Sequence, residues 1–142
     1  MRFMILVKSD ERTEAGDLGE ERDYVEMNRF NEELVKAGVM LAGEGLHPSS
    51  KGARIRFEDE PPTVVEGPFP RPRDLVAGFW LWRVGSLQEA IDWLKRAPFD
   101  GGAEVEIRQV METQDFGDVL TPELREQEER LRAQSDEFRK VS

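Results

Sequence analysis

An α+β fold is what the sequence predicts, and three observations carry it. Short apolar runs of strand length alternate with two stretches whose apolar residues recur every three or four positions. A capping box, Ser86-Leu87-Gln88-Glu89, marks where the second of those stretches begins. The chain has 142 residues, 38% of them hydrophobic and 35% charged, which suits one domain of the usual ~100 to 200 residues with a real core and a wet surface.

Each element follows from its own residues. Arg2–Lys8 is an apolar run bounded by charges, short and β-branched enough to be a buried strand. Ser9–Glu20, with Gly16 and Gly19, reads as a loop. From Glu20 to Ala37, Tyr24, Met27, Phe30, Leu34 and Val35 mark one face of a helix, and Gly38 stands where its left-handed end would fall. Val39–Ala42 begins a second strand and leads into a bent, backbone-exposed segment, Gly43–Ser50. Ala53, Ile55 and Phe57 alternate with Arg54 and Arg56, Glu58–Pro62 supply a turn, and Thr63–Val65 returns as a hairpin.

The longest apolar run, Leu75–Val84, has bulky groups on both faces, as a central strand would. Leu87, Ala90, Ile91 and Leu94 form the stripe of a second helix, stopped by Pro98. Ala103, Val105 and Ile107 alternate with Glu104, Glu106 and Arg108, a half-exposed strand. After Gly117 the character changes. Thr121-Pro122 opens a helix that offers only Leu124, Leu131 and Phe138 on a charged background. The expected organisation is a domain over 1–117 and a charged helical extension over 118–142.

Two βαβ halves of this size close most simply as a ferredoxin-like split βαβ antiparallel sheet with both helices on one face. The other face is then bare. Phe79, Trp80 and Trp82 lie on one strand, so aromatic groups are expected there, with the tryptophans serving core and interface. A homodimer packed sheet on sheet would cover that surface.

Composition excludes much. Thirty acids against twenty bases give a net charge of -10, which disfavours nucleic-acid partners. No run approaches the ~20 apolar residues of a membrane span, and no leader pattern opens the chain, so a cytoplasmic protein without a membrane partner is expected. Cysteine is absent and histidine occurs once. Disulfides, thiol nucleophiles and Cys/His zinc sites are out of reach, and no spacing recommends a metal. Neither a Walker loop nor a dinucleotide fingerprint is present, so no cofactor is expected.

Glu33–Ser49, which reads ELVKAGVMLAGEGLHPS, resembles the YCII-related proteins in the branch called DGPF-domain proteins. So do Glu66-Gly67-Pro68-Phe69, Leu75–Trp80 and Gly101–Arg108. The resemblance spans roughly Met1 to Gly117 in order. It implies a dimeric α+β barrel, no firmly assigned reaction, and an association with extracytoplasmic-function sigma factors. The name motif Asp-Gly-Pro-Phe carries Glu66 here, the following Ala-Glu is Pro70-Arg71, and Lys-Glu is Arg73-Asp74. The broader group's His–Asp pair does not carry over, because the first helix holds no histidine.

His47 is the sole imidazole, three residues beyond Glu44, so any imidazole acid–base chemistry near neutral pH rests on it. Glu44, His47 and Glu66 are the candidate catalytic groups; packing at a turn is the bland reading of His47. Phe69 could wall a pocket beside the Gly-Pro turn, or the turn could merely redirect the chain. Arg54, Arg56, Arg71 and Arg73 form a local basic excess suited to a small anionic ligand, and pairing with nearby acids is the plainer account. Arg54, Arg73, Phe69 and Trp80 are the candidate substrate-binding residues. Two functions remain: a small-molecule binding or regulatory module linked to a sigma factor, or an acid–base enzyme using His47 with a carboxylate. A docking role for the charged C-terminal helix is a third. Convergence of His47 with Glu44 or Glu66 in a closed cavity would favour the enzyme; a solvent-facing His47 would favour the module.

Overall fold

The first strand, β1 (Arg2–Lys8), forms where the apolar run predicts it and occupies the middle of the sheet. The computed structural model describes residues 1–58 and 60–141. They fall into two compact units, Met1–Val110 and Met111–Ser142.

Within the first unit the expected loop after β1 holds a short helix, α1 (Glu11–Glu14), because the Asp10 carboxylate accepts the Thr13 N–H at 2.8 Å and caps it. Helix α2 (Glu21–Lys36) then spans the predicted periodic stretch. It ends in a Schellman motif. Gly38 sits at φ 72°, the Val39 N–H reaches the Leu34 carbonyl at 2.9 Å, and the Gly38 N–H reaches that of Val35 at 3.0 Å. Val39 and Leu34 are both buried, the apolar contact that accompanies this cap.

Strand β2 (Met40–Gly45) runs three residues further than the apolar pattern suggests. A hairpin follows, β3 (Ala53–Arg56) paired with β4 (Thr63–Glu66). The turn expected between them includes Asp59, which lies outside the described residues. Strand β5 (Val76–Arg83), helix α3 (Leu87–Leu94) and strand β6 (Val105–Gln109) complete the unit. The Ser86 hydroxyl caps α3 by accepting from the Glu89 N–H, while the Glu89 carboxylate reaches back to the Gly85 N–H at 2.7 Å.

The strands pair in the order β2-β5-β1-β6, all antiparallel. That is the split βαβ order the sequence predicts, and the α+β class stands. Phe30 and Leu34 of α2 and Ala90 of α3 pack with Phe3, Ile5, Trp80 and Trp82 in one core, so both helices cover the same face.

The aromatic run divides differently from the expectation. Trp80 and Trp82 are 6% and 0% exposed and lie beneath the helices, in edge-on contact with Phe30. Alternation then sends Phe79 and Leu81 to the opposite face. There they meet Leu6 and Met4 of β1 and Glu44 and Ala42 of β2 as register partners. The bare face of the sheet is therefore aliphatic with one phenyl ring, and the tryptophans take no part in it. The side they take is set by Phe30, Leu34 and Ala90, against which they pack; Gly78, of the same parity, lies against the β2 backbone, where a Cβ would come within 2.9 Å of the Glu44 carbonyl oxygen. The Trp82 indole N–H stays buried with no partner among the described residues, a cost on the order of 1–3 kcal/mol that the surrounding packing offsets.

In the second unit, Thr113–Val119 is a 3-10 segment kinked at Gly117. Helix α4 (Pro122–Val141) follows, and the Thr121 hydroxyl accepts from the Leu124 N–H at 3.3 Å, as the Thr-Pro pair predicts. Arg125 ties the two segments by donating to the Leu120 and Gly117 carbonyls. Leu124, Leu131 and Phe138 are exposed. No helix among the described residues is long and apolar enough to cross a membrane.

Candidate functional site

The register of β2 against β5 creates a cleft with an apolar interior and a distinct floor. Met40 faces Trp82, Leu41 is an extra residue, and Ala42 resumes pairing opposite Leu81. This bulge brings Gly43 and Gly45 to the helix side opposite Trp80 and Gly78. Three glycines thus meet on adjoining strands, Gly78 closed against the Glu44 carbonyl and the Gly45 backbone. The strip is filled at one end, where a Cβ on Gly43 would come within 2.8 Å of the Trp80 ring and the Met40 methyl. At Gly45 it is open, with nothing within 4 Å of an added Cβ.

The cleft above this floor measures about 290 Å³ and is walled by Val7, Met27, Asn31, Met40, Trp80 and Phe99. Trp80 and Phe99 meet edge to face at 6.0 Å. The Trp80 indole N–H donates to Asn31 Oδ1 at 2.9 Å. Glu44 is among the lining residues; its register partner is Phe79, so strand alternation assigns its carboxylate to the opposite face.

The Glu66–Phe69 turn is built elsewhere, against the segment after β2. Gly67 sits on the Ser49 carbonyl so closely that no side chain fits. The Gly67 N–H donates to the Gly52 carbonyl at 3.0 Å, and the Phe69 N–H donates to Ser49 Oγ at 2.9 Å. Ser49 in turn donates its N–H and hydroxyl to the two oxygens of Glu14, at 2.9 and 2.5 Å. Glu14, Ser49 and Phe69 therefore fasten three loops into one hub. The Gly67–Pro68 peptide within it is cis.

Of the candidate site residues named from sequence, Trp80 and Glu44 border the cleft. His47 and Glu66 are exposed and have no side-chain hydrogen bond among the described residues. Neither His47 nor Glu66 lines the cleft, and the Glu44 carboxylate points away from it, so the three candidate catalytic groups are not gathered in it. Arg54 and Phe69 come together, the guanidinium 4.0 Å above the ring, a stack worth about 0.5–1 kcal/mol at an exposed site. Arg73 donates to the Gly102 carbonyl at 2.8 Å, and Arg71 pairs with Asp74 at 2.9 Å. They flank a second, open hollow with Asp10, Glu11 and Arg12. There the Thr13 amide holds the Asp10 carboxyl below its ordinary range, helped by the charges of Arg73 and Arg12. None of the arginines reaches the cleft. Among the described residues no cluster of three or more acids, His or Cys could hold a metal ion.

Sequence reasoning missed Asn31, Met27, Phe99 and the Glu14–Ser49 tie. A signal existed for the floor: glycines alternating within a strand mark a close approach. No local signal places Phe99 or Asn31 over them.

Fold and cleft together define an α+β domain of split βαβ topology with a small apolar hollow between sheet and helix. The YCII-related domain family model matches residues 1–114. The chain belongs to the YCII-related domain family. It is 27% identical over 97 residues to an uncharacterized protein of Rhizobium meliloti (strain 1021), an alignment covering 67% of this chain and 78% of that protein. A solved structure, the 5-chloro-2-hydroxyhydroquinone dehydrochlorinase TftG of Burkholderia phenoliruptrix AC1100 in complex with 2,5-dihydroxybenzoquinone, is 16% identical. It covers 83% of this chain and 100% of its own, with a TM-score of 0.39.

Proposed function

We propose that this protein is a small-molecule binding module of regulatory type that works as a homodimer, with the glycine-floored cleft as its binding site. The observation that carries this reading is the separation of the cleft from the sole histidine. An apolar hollow with a few fixed polar groups is what a ligand site requires, whereas a general base must reach the proton it moves. His47 faces solvent, so a binding role is favoured over acid–base catalysis with His47 and Glu44 or Glu66. The Glu66–Phe69 hub supports the module indirectly by fixing the segment that follows Gly45. It is also the feature by which we place the chain in the DGPF branch, whose sigma-factor association suits a regulatory role.

The dimer is part of the proposal. On the bare face Ala42, Leu81 and Met4 form one row and Phe79 and Leu6 another, with Arg108 and Glu106 as the outer register partners. An apolar centre rimmed by both signs of charge is self-complementary about a twofold axis. Native mass spectrometry of protein purified without added ligand tests the reading. A dimer mass with a bound small molecule is the expected result; a ligand-free monomer at micromolar concentration would refute it.

A further inference from the structure

We propose that the cleft takes a neutral, planar ligand that presents a carbonyl oxygen to the Asn31 side chain; this rests on the binding role argued above.

Two features of the cleft carry the inference. The first is charge. Among the described residues Glu44 is the one ionisable residue of the lining, and strand alternation assigns its carboxylate to the far face of the sheet, while Arg54, Arg71 and Arg73 are engaged outside the cleft. An ionised ligand group would lose its hydration there without gaining a counter-ion. The net charge of -10 adds to the disadvantage of an anion.

The second feature is the Asn31 amide. An indole nitrogen can only donate, so the Asn31 atom facing Trp80 Nε1 is the oxygen. The Nδ2 group, with two N–H donors, is left without a partner among the described residues. Asn31 lines the cleft, so a bound molecule can satisfy those donors with an acceptor. The shape of the cleft completes the class. Gly45 exposes flat peptide backbone, and the Trp80 and Phe99 rings wall the cleft. A planar ring fits between them.

Acetophenone, ethylbenzene and benzoate are near-isosteric probes that differ in acceptor and charge. The test follows the Trp80 indole N–H resonance by NMR during titration with each. Acetophenone is expected to bind about five-fold tighter than ethylbenzene, the worth of one net hydrogen bond. Benzoate is expected to bind at least about ten-fold more weakly than acetophenone, from unpaired burial of its charge. Asn31→Asp keeps an oxygen for Trp80 and removes the N–H donors, so the advantage of acetophenone over ethylbenzene should vanish. Gly45→Val places its side chain in open space above the floor and should weaken acetophenone and ethylbenzene alike.

Benzoate binding as tightly as acetophenone, or a ketone preference that survives Asn31→Asp, would overturn the ligand class and leave the binding role standing. Absence of binding by every probe, or affinities unchanged by Gly45→Val, would overturn the binding role itself.

Discussion

Replacing Gly67 by alanine should be among the most damaging single-methyl changes in the chain. The added Cβ would overlap the Ser49 carbonyl oxygen and lie 2.6 Å from its carbon and 3.3 Å from the Ser50 nitrogen. All three are backbone atoms, so no side chain can swing aside. Gly67 does not occupy the left-handed region, so the penalty is steric and not torsional. Relief requires the 49–52 segment to move away from the turn. That movement breaks Phe69 N–H to Ser49 Oγ, Gly67 N–H to the Gly52 carbonyl, and Ser49 Oγ to Glu14. At about 1 kcal/mol net per hydrogen bond the loss is about 3 kcal/mol. At roughly 3 °C per kcal/mol for a chain of this size, the melting temperature should fall by about 9 °C. Gly45→Ala is the control: its Cβ meets nothing within 4 Å, and a shift under about 2 °C is expected. Thermal unfolding followed by circular dichroism at neutral pH reads both. If Gly67→Ala melts with the control, the close approach of the turn to Ser49 does not hold the loops together.

Leu81→Asp puts a charge at the centre of the apolar rows and should convert a dimer to a folded monomer; sedimentation velocity at micromolar concentration checks it, and a surviving dimer would place the interface elsewhere. His47→Ala should leave acetophenone affinity within about two-fold, since an exposed ring outside the cleft contributes little; a ten-fold loss in the same titration would reinstate the imidazole in the site. Asp10→Ala removes the cap of α1 and should cost about 1 kcal/mol at pH 7. The Asp10 carboxyl lies below its ordinary value of 3.8 in the fold, so its charge-dependent contribution is complete above that value and fades as pH falls through the lowered folded value. Melting curves of parent and Asp10→Ala should therefore converge in acid, and a gap that widens there would reverse the sign of the argument.

The order of strands and helices was legible because its signals are local: period, caps, and Gly38 at the end of α2. The assignment of the Leu75–Val84 run to faces was not. Its bulky groups occupy both parities, and the side that meets the helices is chosen by residues distant in sequence, Phe30, Leu34 and Ala90. The cleft was legible least of all. Its floor exists only because Gly43 and Gly45 on one strand come to lie opposite Trp80 and Gly78 on another, which the bulge at Leu41 decides. Arg54 with Phe69, and Glu14 with Ser49, are likewise meetings between segments whose sequences carry no mark of one another.

The bulge in β2 sets the frame of everything after it. Were the ladder to run regularly from Met40, Leu41 would face Leu81, Ala42 would face Trp80, and Glu44 would stand opposite Gly78 with its carboxylate turned inward. Bare peptide would then interrupt the greasy rows on the other side. Excising Leu41 outright, by contrast, would preserve the present alternation. A slip of one step would thus turn a carboxylate into the hollow, and the bulge that leaves Leu41 unpaired prevents it.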